Sequence, residues 1–141
     1  MIRFELVTLT GLKYSEDVTE VILPTLDGYI GVLTGHMPLI SVATDGIIRV
    51  RKTPNEPDDM MDVFASHGGV IEVADNVLRV LVDEADHADH LNEAEAQAAL
   101  ERAKKMRAEA KDEVSLEKAQ SLVDRSSVRL QVAGLKRKRR R

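Results

Sequence analysis

The sequence lacks cysteine and tryptophan altogether, and aromatic residues account for only 3% of its 141 positions. Without cysteine, the chain has no disulfide framework, no thiolate nucleophile and no thiolate metal ligand. No apolar run approaches the roughly 20 residues that a membrane-spanning helix requires, and residues 1–11 lack the basic segment and apolar run of a secretory signal. With 43% apolar residues, the composition predicts a cytoplasmic protein with an aliphatic core.

Charge is distributed unevenly along the chain, although the formal net charge is only −4. Residues 1–84 contain 6 Lys and Arg against 14 Asp and Glu, whereas residues 85–141 contain 14 against 10. The last six residues, 136–141, are all basic. This asymmetry predicts two modules with different partners, 1–84 and 85–141.

The first module has the periodicity of β-strands. Apolar residues alternate with polar ones near the N-terminus, and short apolar segments recur every 8–12 residues between glycine- and aspartate-containing turns. Residues 11–17 are predicted as a polar turn region. About eight short strands with this spacing predict an antiparallel β-sandwich or a flattened barrel. The predicted strands are 2–9, 18–23, 29–33, 39–43, 47–51, 60–66, 69–73 and 77–82.

After residue 82 the pattern changes to Ala, Glu, Lys and Arg at helical spacing. Asn92 followed by Glu95 predicts a helix N-terminus, and a break near residues 112–115 separates two helices. The chain is thus predicted to be an α+β protein, a sandwich followed by an antiparallel two-helix hairpin. Small apolar faces make the hairpin only marginally stable alone, so we expect it to pack on another surface. The predicted faces are Ala96, Ala99, Ala103, Met106 and Ala110 on the first helix, and Leu116, Ala119, Val123 and Leu130 on the second.

No catalytic motif stands out, because the sequence has no Ser/His/Asp set, glycine-rich phosphate loop or paired carboxylates at a recognisable spacing. Residues 83–90 are rich in side chains of the types that bind metals. On a continuous helix, four of these side chains would share a face, namely Asp83, Asp86, His87 and His90. The segment lies at the strand-to-helix junction, however, so a solvated junction is the favoured interpretation. His67, before two glycines, is interpreted as structural. We therefore predict no enzyme and no metal site. The segment contains Asp83, Asp86, His87, Asp89 and His90.

Residues 21–40 contain two tight reversals, one at Asp27-Gly28 and one at residues 34–38. The pattern of this stretch resembles that of the epsilon subunits of bacterial F-type ATP synthases. Gly46 and segments 64–73 and 80–85 extend the resemblance over most of residues 1–90. The residues that carry it between 21 and 40 are Leu23-Pro24, Asp27-Gly28, Gly31-Val32-Leu33, Gly35-His36 and Pro38-Leu39.

The resemblance implies a non-catalytic rotor subunit of the central stalk, which couples ring rotation to ATP synthesis. Its sandwich would contact the gamma subunit and the c subunits of the membrane ring. Its hairpin would extend to the catalytic alpha and beta subunits and inhibit ATP hydrolysis. The implied location is the cytoplasmic face of a bacterial membrane, as a peripheral protein. The candidate stalk and ring contacts are Asp27, Gly28, Tyr29, Gly31, Gly35, His36 and Pro38. The candidate regulatory contacts are Lys118, Arg125, Arg129, Lys136, Arg137 and Arg139.

Two departures from the family pattern change these expectations. Tyr29 stands where many relatives have glutamate, which weakens the case for a charged contact with the ring. Some relatives bind regulatory ATP through an apolar–Asp–x–x–Arg–Ala motif. The matching residues 114–119 keep only the apolar residue and the alanine, and Lys118 lacks the planar fork of arginine. No cofactor is therefore expected.

Two other interpretations remain open. The chain could be a free-standing sandwich that binds a small ligand or a metal and dimerises through its helices. Alternatively, the basic tail could bind nucleic acid, in which case binding to DNA would depend strongly on salt. No aromatic residues accompany the tail for base stacking. We therefore predict no nucleic-acid partner.

Overall fold

The computed structural model describes the backbone of residues 1–139 and the side chains of residues 1–135. The chain divides into two compact units, Met1–His87 and Ala88–Arg141. The sequence pattern placed this boundary three residues earlier, after residue 84. The difference arises because residues 84–87 form a strand that pairs within the first unit.

Ten strands make up the first unit, which also contains a short 3-10 turn at Asp58–Met60. The strands are β1 (Ile2–Thr8), β2 (Gly11–Val18), β3 (Glu20–Thr25), β4 (Gly28–Leu33), β5 (Leu39–Ala43), β6 (Gly46–Arg51), β7 (Asp62–His67), β8 (Gly69–Ala74), β9 (Val77–Leu81) and β10 (Glu84–His87).

The strands form two five-stranded layers. The first layer has the order β10-β7-β6-β3-β4, and the second has the order β5-β8-β9-β1-β2. A single residue pair, Thr25 with Ala43, joins them. Apolar side chains from both layers form one buried core, which includes Phe4, Phe64 and Leu78. The predicted β-sandwich is confirmed, and all its strand pairs are antiparallel except β1 with β9.

Two segments differ from the prediction. Residues 11–17, predicted as a turn region, belong to β2, which pairs with β1 from end to end except at a bulge at Lys13. The strand is mostly exposed and polar, so its sequence lacks alternation, and backbone pairing with β1 determines its conformation. Residues 84–87 form β10 instead of part of the helical module, because they pair with β7.

The second unit contains a 3-10 turn at Ala88–His90 and two helices, α1 (Glu93–Glu109) and α2 (Glu113–Arg139). The predicted cap of α1 is confirmed, since the backbone N–H of Glu95 donates to Asn92 Oδ1 at 3.0 Å. At the start of α2, the N–H of Ser115 donates to Asp112 Oδ1 at 2.7 Å. The carboxamide oxygen of Asn92 and the carboxylate oxygen of Asp112 thus each accept a backbone N–H that has no partner within its own helix.

The buried faces of the two helices differ in part from the predicted ones. Leu100, which the prediction omitted, is buried and packs in a cluster with Ala103 and Val123. Met106 is 49% exposed and Leu116 is 46% exposed, although both were predicted on the buried faces. Both lie near the end of the hairpin where the chain reverses, so neighbouring turns of helix cover them less. Among the helix residues up to 135, whose side chains the structure describes, the other buried ones are Ala96, Ala119, Ser126, Val132 and Ala133.

Candidate functional site

The first predicted reversal is a tight turn between β3 and β4. The hydroxyl of Thr25 donates to the carbonyl of Gly28 at 2.6 Å and accepts the N–H of Asp27 at 3.2 Å. Gly28 has φ +110°, a conformation that a residue with a Cβ rarely adopts. Leu26 at the tip of the turn is 71% exposed. The turn therefore presents an apolar side chain and the Asp27 carboxylate on a rigid backbone.

The second reversal, between β4 and β5, is held by hydrogen bonds from three directions. The N–H of His36 donates to the Leu33 carbonyl at 3.1 Å, and His36 Nδ1 lies 2.7 Å from the Met37 carbonyl, which identifies Nδ1 as a donor. The N–H of Gly35, with φ +78°, donates to Asn76 Oδ1 at 2.9 Å. The structure thus gives His36 a loop-shaping contact and leaves Met37 76% exposed.

Asn76 is a positioning residue that the sequence did not reveal. Its side-chain amide accepts from Gly35 and donates to the Met1 carbonyl at 2.8 Å, so it links the β4–β5 loop to the N-terminus. Asn76 adopts φ +61° in the β8–β9 turn, a conformation that asparagine tolerates better than most residues. The predicted strands 69–73 and 77–82 imply a turn at residues 74–76, but not its contact with a loop 41 residues away.

The two reversals lie at opposite ends of β4, not side by side. The six residues of β4 separate them by about 20 Å at the usual rise of a strand. Tyr29 and Gly31 lie on β4, which pairs with β3 along one edge. The seven candidate residues therefore form two loops and a connecting edge strand, and the structure does not bring them together in one cluster.

Tyr29 makes a structural contact. Its hydroxyl accepts the N–H of Ile47 at 3.1 Å, which ties β4 to the start of β6. A Cβ on Gly46 would lie 2.8 Å from Pro24 Cβ and 3.0 Å from the Tyr29 oxygen, so only glycine fits beneath this contact. The Tyr29 side chain is still 55% exposed. It can therefore contact a partner with its ring while its hydroxyl remains anchored.

An apolar row crosses the outer face of the second layer. The strand registers align Val42 with Val70, Val70 with Leu81, Leu81 with Val7, and Val7 with Leu12. Val42, Val70, Leu81 and Leu12 are 49%, 46%, 44% and 59% exposed, whereas the alternate residues Ile71 and Val80 are fully buried. Exposed apolar groups that are contiguous over five strands mark an interaction surface.

Charged residues lie beside the apolar row. The adjacent register contains Ile40, which is 80% exposed, followed by Glu72, Arg79 and Glu5. Arg79 and Glu5 form an ion pair at 3.4 Å. An apolar centre with a polar margin is the usual composition of a protein–protein interface.

A polar cluster lies at the end of the first unit. His87 Nε2 is 3.1 Å from Asp62 Oδ1, and the Lys52 ammonium is 3.1 Å from the other carboxylate oxygen. Burial raises the pKa of the Asp62 carboxyl, but the hydrogen bonds from His87 and Lys52 outweigh it and hold the pKa below its usual value. The imidazole also meets the Phe64 ring edge-on at 5.0 Å between centroids. His87 therefore anchors the last residue of the first unit to β7.

The metal-ligand residue types between 83 and 90 do not share one helical face. Asp86 and His87 are adjacent on β10 and point to opposite faces of the strand. Asp89 and His90 belong to the 3-10 turn of the second unit. The helical arrangement considered from the sequence is therefore wrong, because strand pairing continues to residue 87.

Lys118, Arg125 and Arg129 lie on α2 at spacings of seven and four residues, which places them along one side of the helix. Lys118 is exposed, and the two arginines are partly buried. Both arginines also have interactions with other groups. The side chains of Lys136, Arg137 and Arg139, which were also candidate contacts, lie outside the described residues. Within residues 1–139, no helix is both long and apolar enough to cross a bilayer.

Comparison with known proteins gives two adjacent family matches. Residues 1–88 match the model of the ATP synthase delta/epsilon chain, beta-sandwich domain, and residues 89–134 match the long alpha-helix domain. The ATP synthase epsilon chain of Lactobacillus delbrueckii subsp. bulgaricus is 34% identical over 137 residues, covering 95% of this chain and 93% of the relative. The ATP synthase epsilon chain of Nostoc punctiforme is 35% identical over 136 residues, covering 90% of this chain and 97% of the relative.

Two solved structures have a similar fold. A chain in the cryo-EM structure of the Euglena gracilis mitochondrial ATP synthase, OSCP/F1/c-ring in rotational state 1, superposes with a TM-score of 0.77 at 22% identity. The match covers 95% of this chain and 81% of that one. A chain in the Tetrahymena thermophila mitochondrial ATP synthase central stalk/c-ring structure gives a TM-score of 0.61 at 17% identity, covering 94% and 95%.

Proposed function

This chain belongs to the ATP synthase delta/epsilon family, and from that premise we propose that it is the epsilon-type rotor subunit of a proton-translocating F-type ATP synthase. It is a non-catalytic subunit that couples rotation of the membrane ring to ATP synthesis. Its partners are the gamma subunit, the c subunits and the catalytic alpha and beta subunits. The observation that carries the proposal is the continuous match to both family domains and to epsilon chains over more than nine-tenths of their length.

Depletion of the chain from its ATP synthase tests this function. We expect membranes whose complex lacks the chain to lose proton-driven ATP synthesis, and purified full-length chain to restore it. Membranes that synthesise ATP at the same rate with and without the chain would contradict the coupling role.

We further propose that the gamma subunit covers the apolar row together with Ile40 and the β4–β5 loop. Support comes from the exposure of these side chains and their continuity along β5, which follows the loop directly. The c ring would contact the β3–β4 turn, which lies at the other end of β4 and presents Leu26 and Asp27. The subunit would be a peripheral member of the complex, and in a bacterium it would lie on the cytoplasmic face of the membrane.

The second unit is proposed to inhibit ATP hydrolysis by contact with the catalytic subunits. Support comes from its excess of basic residues, 14 Lys and Arg against 10 Asp and Glu after residue 84, and from the alignment of Lys118, Arg125 and Arg129 along α2. In this proposal the cations meet acidic groups on the catalytic head.

Deletion of residues 136–141 is expected to relieve the inhibition. Exposed ion pairs contribute about 0.2–1 kcal/mol each. Loss of the six basic residues should therefore raise ATP hydrolysis by the assembled complex at least about twofold. The control replaces the same six residues by Gly and Ser, which keeps the length and removes the charge. Both variants should lose their difference from wild type at high salt, because ions screen exposed charges. Unchanged hydrolysis in both would exclude the tail from inhibition.

We also propose that the chain binds no regulatory ATP at residues 114–119. The first N–H groups of α2 are occupied by the Asp112 carboxylate, whose pKa is lowered by its hydrogen bonds with Ser115. This anion repels phosphate at the helix terminus that would otherwise attract it. Calorimetric titration with Mg·ATP should give no saturable heat, and a Kd below about 1 mM would contradict the expectation.

A further inference from the structure

Three side chains with metal-binding groups converge where β7 meets β10. Glu84 pairs directly with His67 across the two strands, and Asp86 lies two residues further along the same face of β10. One donor atom from each, an imidazole nitrogen and two carboxylate oxygens, lies within 4.8 Å of the other two. His67 is fully buried, and Glu84 and Asp86 are partly buried. Of these three residues, only Asp86 belongs to the group of possible metal ligands between residues 83 and 90 that the sequence suggested.

The chemistry of the set suits a divalent transition metal. Imidazole nitrogen together with carboxylate oxygen is a donor combination that Zn²⁺ accepts, whereas Mg²⁺ and Ca²⁺ prefer oxygen alone. Zn–N distances of about 2.0–2.1 Å and Zn–O distances of about 2.0–2.2 Å place tetrahedral donors about 3.4 Å apart. The donor atoms lie within 4.8 Å of one another, so metal binding would draw the two carboxylates toward the imidazole while strand pairing holds the backbone in place.

The electrostatics of the two strands favour the same ligand. Two carboxylates two residues apart on one face of a strand repel each other. A divalent cation between them would convert this repulsion into attraction and would fix the orientation of the buried imidazole. These three side chains also take part in other interactions, so an incoming cation competes with those interactions.

We propose that His67, Glu84 and Asp86 bind one divalent transition metal ion, with Zn²⁺ the best match. The ion clamps β10 onto β7. Because β10 is the last strand before the helical unit, metal binding strengthens the attachment of the segment from which that unit continues. Three protein donors leave the remaining coordination to water or another ligand.

Calorimetric titration of the full-length chain with ZnCl₂, after treatment with EDTA and dialysis, tests the site. We expect one saturable site. Glu84→Gln and Asp86→Asn should each weaken binding at least about tenfold, since each removes a charged ligand. Asp83→Asn is the matched control: it removes the same charge from an adjacent residue outside the donor set, and its affinity should match that of wild type. The absence of saturable binding, or an equal loss in Asp83→Asn and Asp86→Asn, would overturn the proposal.

The histidine is tested without mutating it, because a substitution at a fully buried position can unfold the protein. In nitrogen-15 NMR spectra of the imidazole rings, Zn²⁺ should shift the His67 resonances. His36→Gln and His90→Gln variants assist the assignment of the ring signals. His67 signals that stay unchanged while Zn²⁺ saturates the protein would place the ion elsewhere and overturn the proposed ligand set.

Discussion

Gly69→Ala is expected to lower the free energy of unfolding of the first unit by at least about 3 kcal/mol. Gly69 has φ +132°, and a Cβ at this position would lie 1.9 Å from the Leu81 carbonyl oxygen and 2.8 Å from Val82 Cα. Both are backbone atoms, and Leu81 is held in register by its pairing with Val70. Neither can move without breaking the ladder between β8 and β9, so the substitution combines backbone strain with overpacking.

Gly31→Ala is the matched control for this substitution in the same unit. The nearest atom to a Cβ at Gly31 is Glu20 Oε2 at 3.8 Å, an ordinary van der Waals contact. We expect its effect to stay within about 1 kcal/mol. Urea denaturation followed by circular dichroism measures both variants. Equal stability of the two would contradict the close approach of β8 and β9 at Gly69.

Val70→Asp is expected to weaken binding of the gamma subunit about a hundredfold, a free-energy loss of about 2.7 kcal/mol. Val70 is central in the apolar row, between Val42 and Leu81. A carboxylate there would be desolvated against an apolar partner without a compensating charge, which is among the most costly changes at an interface. Because Val70 is 46% exposed in the free chain, the variant should fold normally.

Binding is measured by calorimetry with purified gamma subunit. Met60→Asp serves as the control, since Met60 is 52% exposed on the loop between β6 and β7 and lies outside the apolar row. Its affinity should equal that of wild type, and circular dichroism verifies that both variants are folded. If Val70→Asp binds gamma as tightly as Met60→Asp, then the apolar row is not the interface.

The sequence predicted the fold well where its periodicity reflects burial. Alternation located the strands of the first unit, and Asn92 with Glu95 predicted the start of α1. The sequence-based prediction missed β2, which is mostly exposed, and β10, which has only four residues. The conformation of these two strands depends on their pairing with β1 and β7. Pairing over long sequence distances leaves little trace in local composition.

The candidate surfaces were only partly predictable for the same reason. Val42, Val70 and Leu81 lie in nearly continuous apolar segments, so the sequence does not distinguish outward from inward residues there. Only the register across β5, β8 and β9 aligns them as an exposed row. Likewise, His67 and Asp86 are 19 positions apart and meet only because β10 pairs with β7. The motif between residues 21 and 40 predicted both reversals and the strand between them, but not the hydrogen bond that holds the second reversal to Asn76.

This chain acts by contact with a rotating stalk and not by catalysis. The most direct measurement is size-exclusion chromatography of the full-length chain mixed with the gamma subunit of the same organism. We expect a stable complex that contains one copy of each protein. Elution of the two proteins separately at micromolar concentrations would contradict it.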